Sequence, residues 1–217
     1  MKLTIVNGSP RGRKSNSDKI LQWLLADIKD TSGFSYEKVY AIDIKDRESQ
    51  IETLKTSDSI VVIFPLYTDC MPGITKDFFE NMENCKKLLE GKTITFIVHS
   101  GFPEAIQSRA IEKYNEYFAK LMKMNYLGTI IMGGSEALSA APDSMFKKKI
   151  TSFKAVGRCI IENKALTAED KALIGKHELL PGYMLFFMKR LSVSNFFWNS
   201  QLKKNNAFDK RFDKPYK

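Results

Sequence analysis

Gly8-Ser9-Pro10-Arg11 and, after Gly12-Arg13-Lys14, Ser15-Asn16-Ser17 are the residues whose reading decides the fold of this 217-residue chain. They follow an apolar run, Leu3-Thr4-Ile5-Val6, and open onto an amphipathic one, Ile20-Leu21-Trp23-Leu24-Leu25-Ile28. A strand that ends in a small-residue turn and starts a helix leaves backbone N–H groups unpaired, and these attract anions. The hydroxyls of Ser9, Ser15 and Ser17 and the Arg11 guanidinium turn that corner into a phosphate cradle needing no metal ion. A P-loop is excluded by its spelling, since Arg13 stands where the second glycine belongs, and Gly-x-Gly-x-x-Gly is not present either. The plain alternative is a capping box, with Ser15 as N-cap and Asp18 reaching back. That leaves Ser9, Arg11 and Ser17 unexplained.

Working outward, short apolar runs alternate with stretches of helical period. The pattern predicts strands at Lys2–Val6, Tyr36–Ile44, Ser59–Phe64, Thr93–His99 and Leu127–Met132. Helices are predicted at Ser17–Lys29, near Gln50–Thr56, and at Ile74–Leu89, Pro103–Met124 and Ser144–Asn163. Strands separated by helices imply parallel pairing with right-handed crossovers. The expected architecture is α/β: a doubly wound five-stranded parallel sheet with helices on both faces. Ligands then belong at the carboxyl strand ends beside a switch point. One domain is expected over residues 1–164, followed by a helical, basic, aromatic-rich extension over 165–217.

Composition limits the chemistry. The chain is 43% apolar and 27% charged, ordinary for a globular protein, and no apolar run approaches the ~20 residues that span a bilayer. No signal-peptide pattern follows Met1, so a cytoplasmic location is expected. Cys70, Cys85 and Cys159 are too few and too scattered for a disulfide framework or a zinc spacing. Two distant histidines, His99 and His177, argue against a His-based metal site or a hydrolytic triad.

Three more loops fall at carboxyl strand ends. Pro65-Leu66-Tyr67-Thr68-Asp69-Cys70-Met71-Pro72-Gly73 is stiffened by two prolines near its ends and offers the flat face of Tyr67. His99-Ser100-Gly101-Phe102-Pro103-Glu104 combines a glycine for close backbone approach with a second aromatic. Gly133-Gly134-Ser135-Glu136 follows the fifth strand. Each taken alone reads equally as a connector. Together they describe one crevice for a ligand with an anionic tail and a flat polar ring. Flavin mononucleotide fits, and a redox cofactor accounts for a chain with no evident nucleophile or metal cluster.

These residues resemble the NADPH-dependent FMN reductase branch of the flavodoxin-like superfamily over roughly Met1 to Asn163. Gly8-Ser9-Pro10-Arg11 with Ser15-Asn16-Ser17 is similar to its phosphate loop, Pro65-Leu66-Tyr67 with Pro72 to its ring-lining loop, and Ser100-Gly101-Phe102-Pro103-Glu104 to its third flavin loop. The resemblance implies that Ser9, Arg11, Ser15, Asn16 and Ser17 hold the phosphate. Pro65, Leu66, Tyr67 and Thr68 would contact ring and ribityl, with Asp69 as a neighbour of the ring. Ser100, Gly101 and Phe102 would close the other side, with Gly133 opening the fourth loop. It further implies bound FMN, NAD(P)H as electron donor, a small acceptor (quinone, flavin, azo or nitro compound) and a homodimer. No cysteine falls between Ala41 and Ser59, where iron–sulfur relatives carry their cluster. Two other functions fit the same fold: a flavodoxin-like electron carrier, and a regulatory or scaffold protein without cofactor.

The net charge is +9, and from Lys189 onward eight basic residues face only Asp209 and Asp213. The same tail is rich in large apolar groups, from Gly182-Tyr183-Met184-Leu185-Phe186-Phe187-Met188 to Phe196-Phe197-Trp198. It reads as a helix closing on the domain or on a dimer partner, or else as a peripheral membrane contact through Lys203, Lys204, Lys210 and Arg211. No nucleic-acid-binding module accompanies the charge, and no such partner is expected.

Overall fold

A computed structural model describes residues 1–175, 177–190 and 193–214, without the side chains of 140, 188, 189, 193, 194 and 197. Met188, Lys189 and Phe197 of the aromatic tail therefore have side chains outside the described residues. Five strands form one parallel sheet: β1 (Lys2–Asn7), β2 (Ser35–Tyr40), β3 (Ser59–Pro65), β4 (Thr93–His99) and β5 (Asn125–Met132), in the order β2-β1-β3-β4-β5. The helices of the first unit are α1 (Asn16–Leu25), α2 (Arg47–Lys55), α3 (Gly73–Glu83), α4 (Lys86–Leu89), α5 (Ala110–Leu121), α6 (Ala137–Ala140), α7 (Lys147–Ile161) and α8 (Ala168–Ile174). A second unit, Leu180–Lys217, contains α9 (Gly182–Arg190) and α10 (Val193–Lys204).

Both faces of the sheet are buried, which is why β3 reads as a nearly continuous apolar run and β4 is buried along its whole length, Thr93, Thr95 and His99 included. Side chains alternate between two cores. Ile60, Val62, Phe64, Phe96 and Val98 pack with Phe78, Phe79, Met82 and Phe118 from α3 and α5. There Phe79 and Phe118 stack with centroids 4.4 Å apart. Leu3, Ile5, Val61, Ile63 and Ile97 pack on the other face with Ile20 and Leu24 of α1 and Phe153, Val156 and Ile160 of α7. Strand order reverses beside β1, so the helices following β1 and β3 leave on opposite faces and open a crevice between them.

The helices on the second face meet closely. A Cβ added at Gly157 of α7 would lie 2.4 Å from the Leu24 carbonyl oxygen of α1. Gly157→Ala would raise helix propensity by about 1 kcal/mol. It is nevertheless expected to destabilise the protein by about 1–3 kcal/mol in urea denaturation, because backbone cannot yield as a side chain tip can.

Several boundaries differ from the sequence reading, four of them in ways that bear on the architecture. The helix expected over Pro103–Met124 starts only at Ala110, after a 3-10 turn over Ala105–Ser108 whose Ala105 and Ile106 N–H groups donate to the carbonyls of His177 and Glu178. The helix expected over Ile74–Leu89 breaks at Asn84 and Cys85 into α3 and α4. The second strand ends at Tyr40 rather than Ile44, where a turn and a short 3-10 helix take over. Finally, the first compact unit runs to Leu179, past the boundary expected at 164/165, since Leu166 and Ile174 are buried in its core.

Candidate functional site

The first loop is held by main chain before any ligand is considered. Gly8 N–H donates to the Ile63 carbonyl (2.8 Å), and Thr75 Oγ1 donates to the Gly8 carbonyl (2.6 Å). A Cβ on Gly8 would sit 2.5 Å from that hydroxyl, so only glycine keeps β1, β3 and α3 in this contact. Asn7, fully buried at the end of β1, accepts the Ser9 N–H at 2.9 Å and donates to Ser15 Oγ at 3.1 Å and to the Gly12 carbonyl at 3.3 Å. Ser15 caps α1, accepting the Asp18 N–H at 3.1 Å and donating to the Gly12 carbonyl at 2.6 Å. Half of the capping box is thus present. Asp18 does not reach back; its carboxylate takes the Tyr40 hydroxyl (2.7 Å) and the Gln22 amide (3.0 Å). Burial and that carboxylate push the Tyr40 hydroxyl up to about 12. The Ser15 cap leaves over the N–H groups of Asn16 and Ser17, the first donors of the helix.

The crevice is lined by Ser9, Arg11 and Asn16 from the first loop, Pro65, Leu66 and Tyr67 from the second, and Ser100 and Gly101 from the third. Eight of the fourteen residues named from sequence therefore meet on one rim. The other six lie elsewhere. Ser15 braces the loop as described, and Ser17 is buried beneath it. Thr68 and Asp69 form the exposed tip of the second loop, with Thr68 at φ 58° and the turn closed by Tyr67 N–H to the Cys70 carbonyl at 3.0 Å. Phe102 is half exposed. Gly133 stands behind the wall, where a Cβ would lie 2.7 Å from the Phe102 and Pro103 carbonyl oxygens.

Three lining residues were not singled out from sequence: His99, Ser135 and Glu136. His99 ends β4 and is buried, with Nε2 2.8 Å from Ser17 Oγ and Nδ1 3.0 Å from Ser135 Oγ. Burial pulls its pKa down to about 3, so the ring is neutral, donating through one nitrogen and accepting through the other. Ser135 in turn donates its N–H to the Ser100 carbonyl (2.8 Å), and its own carbonyl accepts the Asn16 amide (2.8 Å). One imidazole thus ties the first loop to the third and fourth loops. The signal available was a histidine at the carboxyl end of a central strand; its serine partners lie 82 and 36 residues away.

The two arginines of the first loop differ in kind. Arg13 is taken up by Asp43, with Nη2 2.9 Å from Oδ2, and lies 4.1 Å over the Tyr40 ring. Arg11 is exposed, lines the crevice, and its guanidinium forms no ion pair among the described residues. Leftover helix-start donors, the Ser9 hydroxyl and an uncommitted guanidinium suit a phosphate. Pro65, Leu66 and Tyr67 offer an apolar wall beside them. The residues present fit a flavin mononucleotide.

Comparison with solved structures gives the same architecture. An NADPH-quinone reductase from P. pentosaceus superposes with a TM-score of 0.54 at 20% identity, over 72% of this chain and 97% of that one. The apo form of the NADH:FMN oxidoreductase EMOB gives 0.59 at 17%, over 78% and 93%. An FMN-dependent NADH-azoreductase from Bacillus anthracis str. Ames Ancestor, in complex with FMN, gives 0.57 at 16%, over 72% and 97%. No curated protein sequence matches the chain. The model of one protein family, described as having a flavodoxin-like fold, matches residues 1–152. A match of that extent, on a sheet of this strand order, decides descent: the chain belongs to this family of flavodoxin-like fold.

Proposed function

We propose that this chain binds FMN in the crevice and works as an NAD(P)H-dependent oxidoreductase delivering electrons to a small acceptor such as a quinone, flavin, azo or nitro compound. The observation that carries the reading is the Arg11 guanidinium, which forms no ion pair among the described residues, beside the open start of α1 at the rim shared by three further loops. Arg11, Ser9 and the N–H groups of Asn16 and Ser17 would hold the phosphate dianion. Asn16 has a second task, since its amide anchors the fourth loop through the Ser135 carbonyl.

Pro65, Leu66 and Tyr67 would shelter one face of the ring and exclude water from it. Ser100 and Gly101 would border the opposite side, where Gly101 brings bare backbone to the crevice. When bound, FMN supplies hydride acceptance and onward electron transfer; the chain supplies position and shielding. Neutral His99 moves no proton near pH 7 in this scheme, and its task is to keep three loops in register.

Purified protein is expected to be yellow, or to take up added FMN, and to bleach within one rapid-mixing shot of NADH or NADPH under anaerobic conditions. A protein that holds FMN but is not reduced by either nicotinamide is an electron carrier. A colourless protein that ignores added FMN has kept the fold without the cofactor, and the redox reading fails.

A further inference from the structure

The unit Leu180–Lys217 has a surface that the redox site does not use. Its helices expose Tyr183, Phe186, Phe187, Phe196 and Trp198, and Phe212 follows them; Phe196 is 80% and Trp198 62% exposed. Large aromatics exposed in such number over one short segment mark an interaction surface. Among the described residues no helix is long and apolar enough to cross a membrane. The segment carries eight basic residues against two acidic ones. Some of that charge lies directly on aromatic faces: Arg211 is 3.9 Å over the Phe208 ring and 4.7 Å over Phe212, and Lys203 is 5.0 Å over Phe208.

We infer that this unit docks on an anionic lipid bilayer, with its aromatic rings at headgroup depth and its lysines and arginines on the lipid phosphates. Aromatic side chains favour that depth because one part is apolar and the ring edge or N–H tolerates water. Charge complementarity selects the occupant. A second copy of the tail would set two surfaces with the same basic surplus against each other, in a chain already at +9. An anionic bilayer pairs the basic groups and buries the rings in the same step. Nucleic acid would satisfy the charge but would leave most of the rings in water. The inference is independent of what the crevice binds.

The two tryptophans make the test specific. Trp23 is 4% exposed in the core, so a fluorescence change on adding vesicles reports Trp198. The full chain is expected to sediment with vesicles of phosphatidylglycerol mixed into phosphatidylcholine, with a blue shift of emission, and not with phosphatidylcholine alone. High salt should release it. Lys203→Ala with Lys204→Ala is expected to lower partitioning about 25-fold, at roughly fivefold per surface charge. Phe186→Ser with Phe196→Ser should lower it by roughly tenfold or more, while circular dichroism confirms that the first unit is intact.

Absence of binding to anionic vesicles at low salt overturns the inference. So does equal binding to neutral vesicles, or sedimentation without a blue shift. A dimer in sedimentation velocity that the Phe186→Ser, Phe196→Ser variant dissolves would make a second copy the occupant. An oligonucleotide that displaces bound vesicles and itself shifts Trp198 would make it nucleic acid.

Discussion

His99→Ala is expected to destabilise the protein by about 3–5 kcal/mol in urea denaturation near neutral pH, the largest loss at any residue of the crevice. Two terms add. Removing a buried ring leaves a cavity in packed surroundings. It also strands two hydroxyls, Ser17 Oγ and Ser135 Oγ, which the ring now satisfies at 2.8 and 3.0 Å. A stranded buried hydroxyl costs on the order of 1–3 kcal/mol. His99→Gln keeps one donor and one acceptor in reach, so it should cost less. If both variants were as stable as the wild type, the imidazole would not be the tie between the loops.

The same residue gives the stability a pH dependence with a definite sign. Unfolded, an imidazole takes up its proton near 6.5, whereas in the fold burial holds His99 at about 3. Between those values the unfolded chain binds the additional proton, so stability falls as the pH drops. The loss from about pH 7 to about pH 5 amounts to about 2 kcal/mol. Asp27, Asp143 and Glu178 are all held below the ordinary carboxylate range by their basic partners, so their contributions begin at lower pH. The wild type should therefore lose stability across this window and His99→Gln should stay nearly flat. Parallel curves would assign the proton to another group.

That contrast shows what the chain discloses and what it withholds. The alternation of Ser59–Phe64 with helical stretches, and the small-residue corner after Val6, are local signals, and they yield sheet, strand type and the rim at the carboxyl ends. Residue type was legible at Ser15 and Ser17, but direction was not. Ser15 turns inward because Asn7 and Gly12 lie beneath it, and Ser17 turns toward His99. Neither contact has any trace in hydrophobic period. Asn7 looks like an ordinary strand terminus, yet it braces the whole first loop. The 3-10 turn over Ala105–Ser108 that delays α5 is equally silent in that period, and the carbonyls that accept its first N–H groups, those of His177 and Glu178, lie some seventy residues away. Ser15 and Asn7 are placed by hydrogen bonds within the first loop, and Ser17 by one that spans the chain to His99; hydrophobic period encodes neither kind.

Arg11→Ala should raise the dissociation constant for FMN about 10- to 150-fold, whereas Arg13→Ala, two residues away on the same basic loop, should leave it within a few-fold. Both carry the same charge, and sequence spacing alone does not separate them. Their partners do. Asp43 already neutralises Arg13, which also stacks on Tyr40, so drawing it to a phosphate would mean breaking an ion pair to make one. Arg11 lines the crevice with no ion pair among the described residues to give up, and a charge-assisted bond to a dianion is a net gain there. Quenching of FMN fluorescence on titration with apo-protein measures both variants. Equal losses would mean that the loop acts as a diffuse positive field, and added salt would then weaken wild type and both variants alike. A loss at Arg13 alone would place the phosphate over the Asp43 side of the loop and move the site off the crevice.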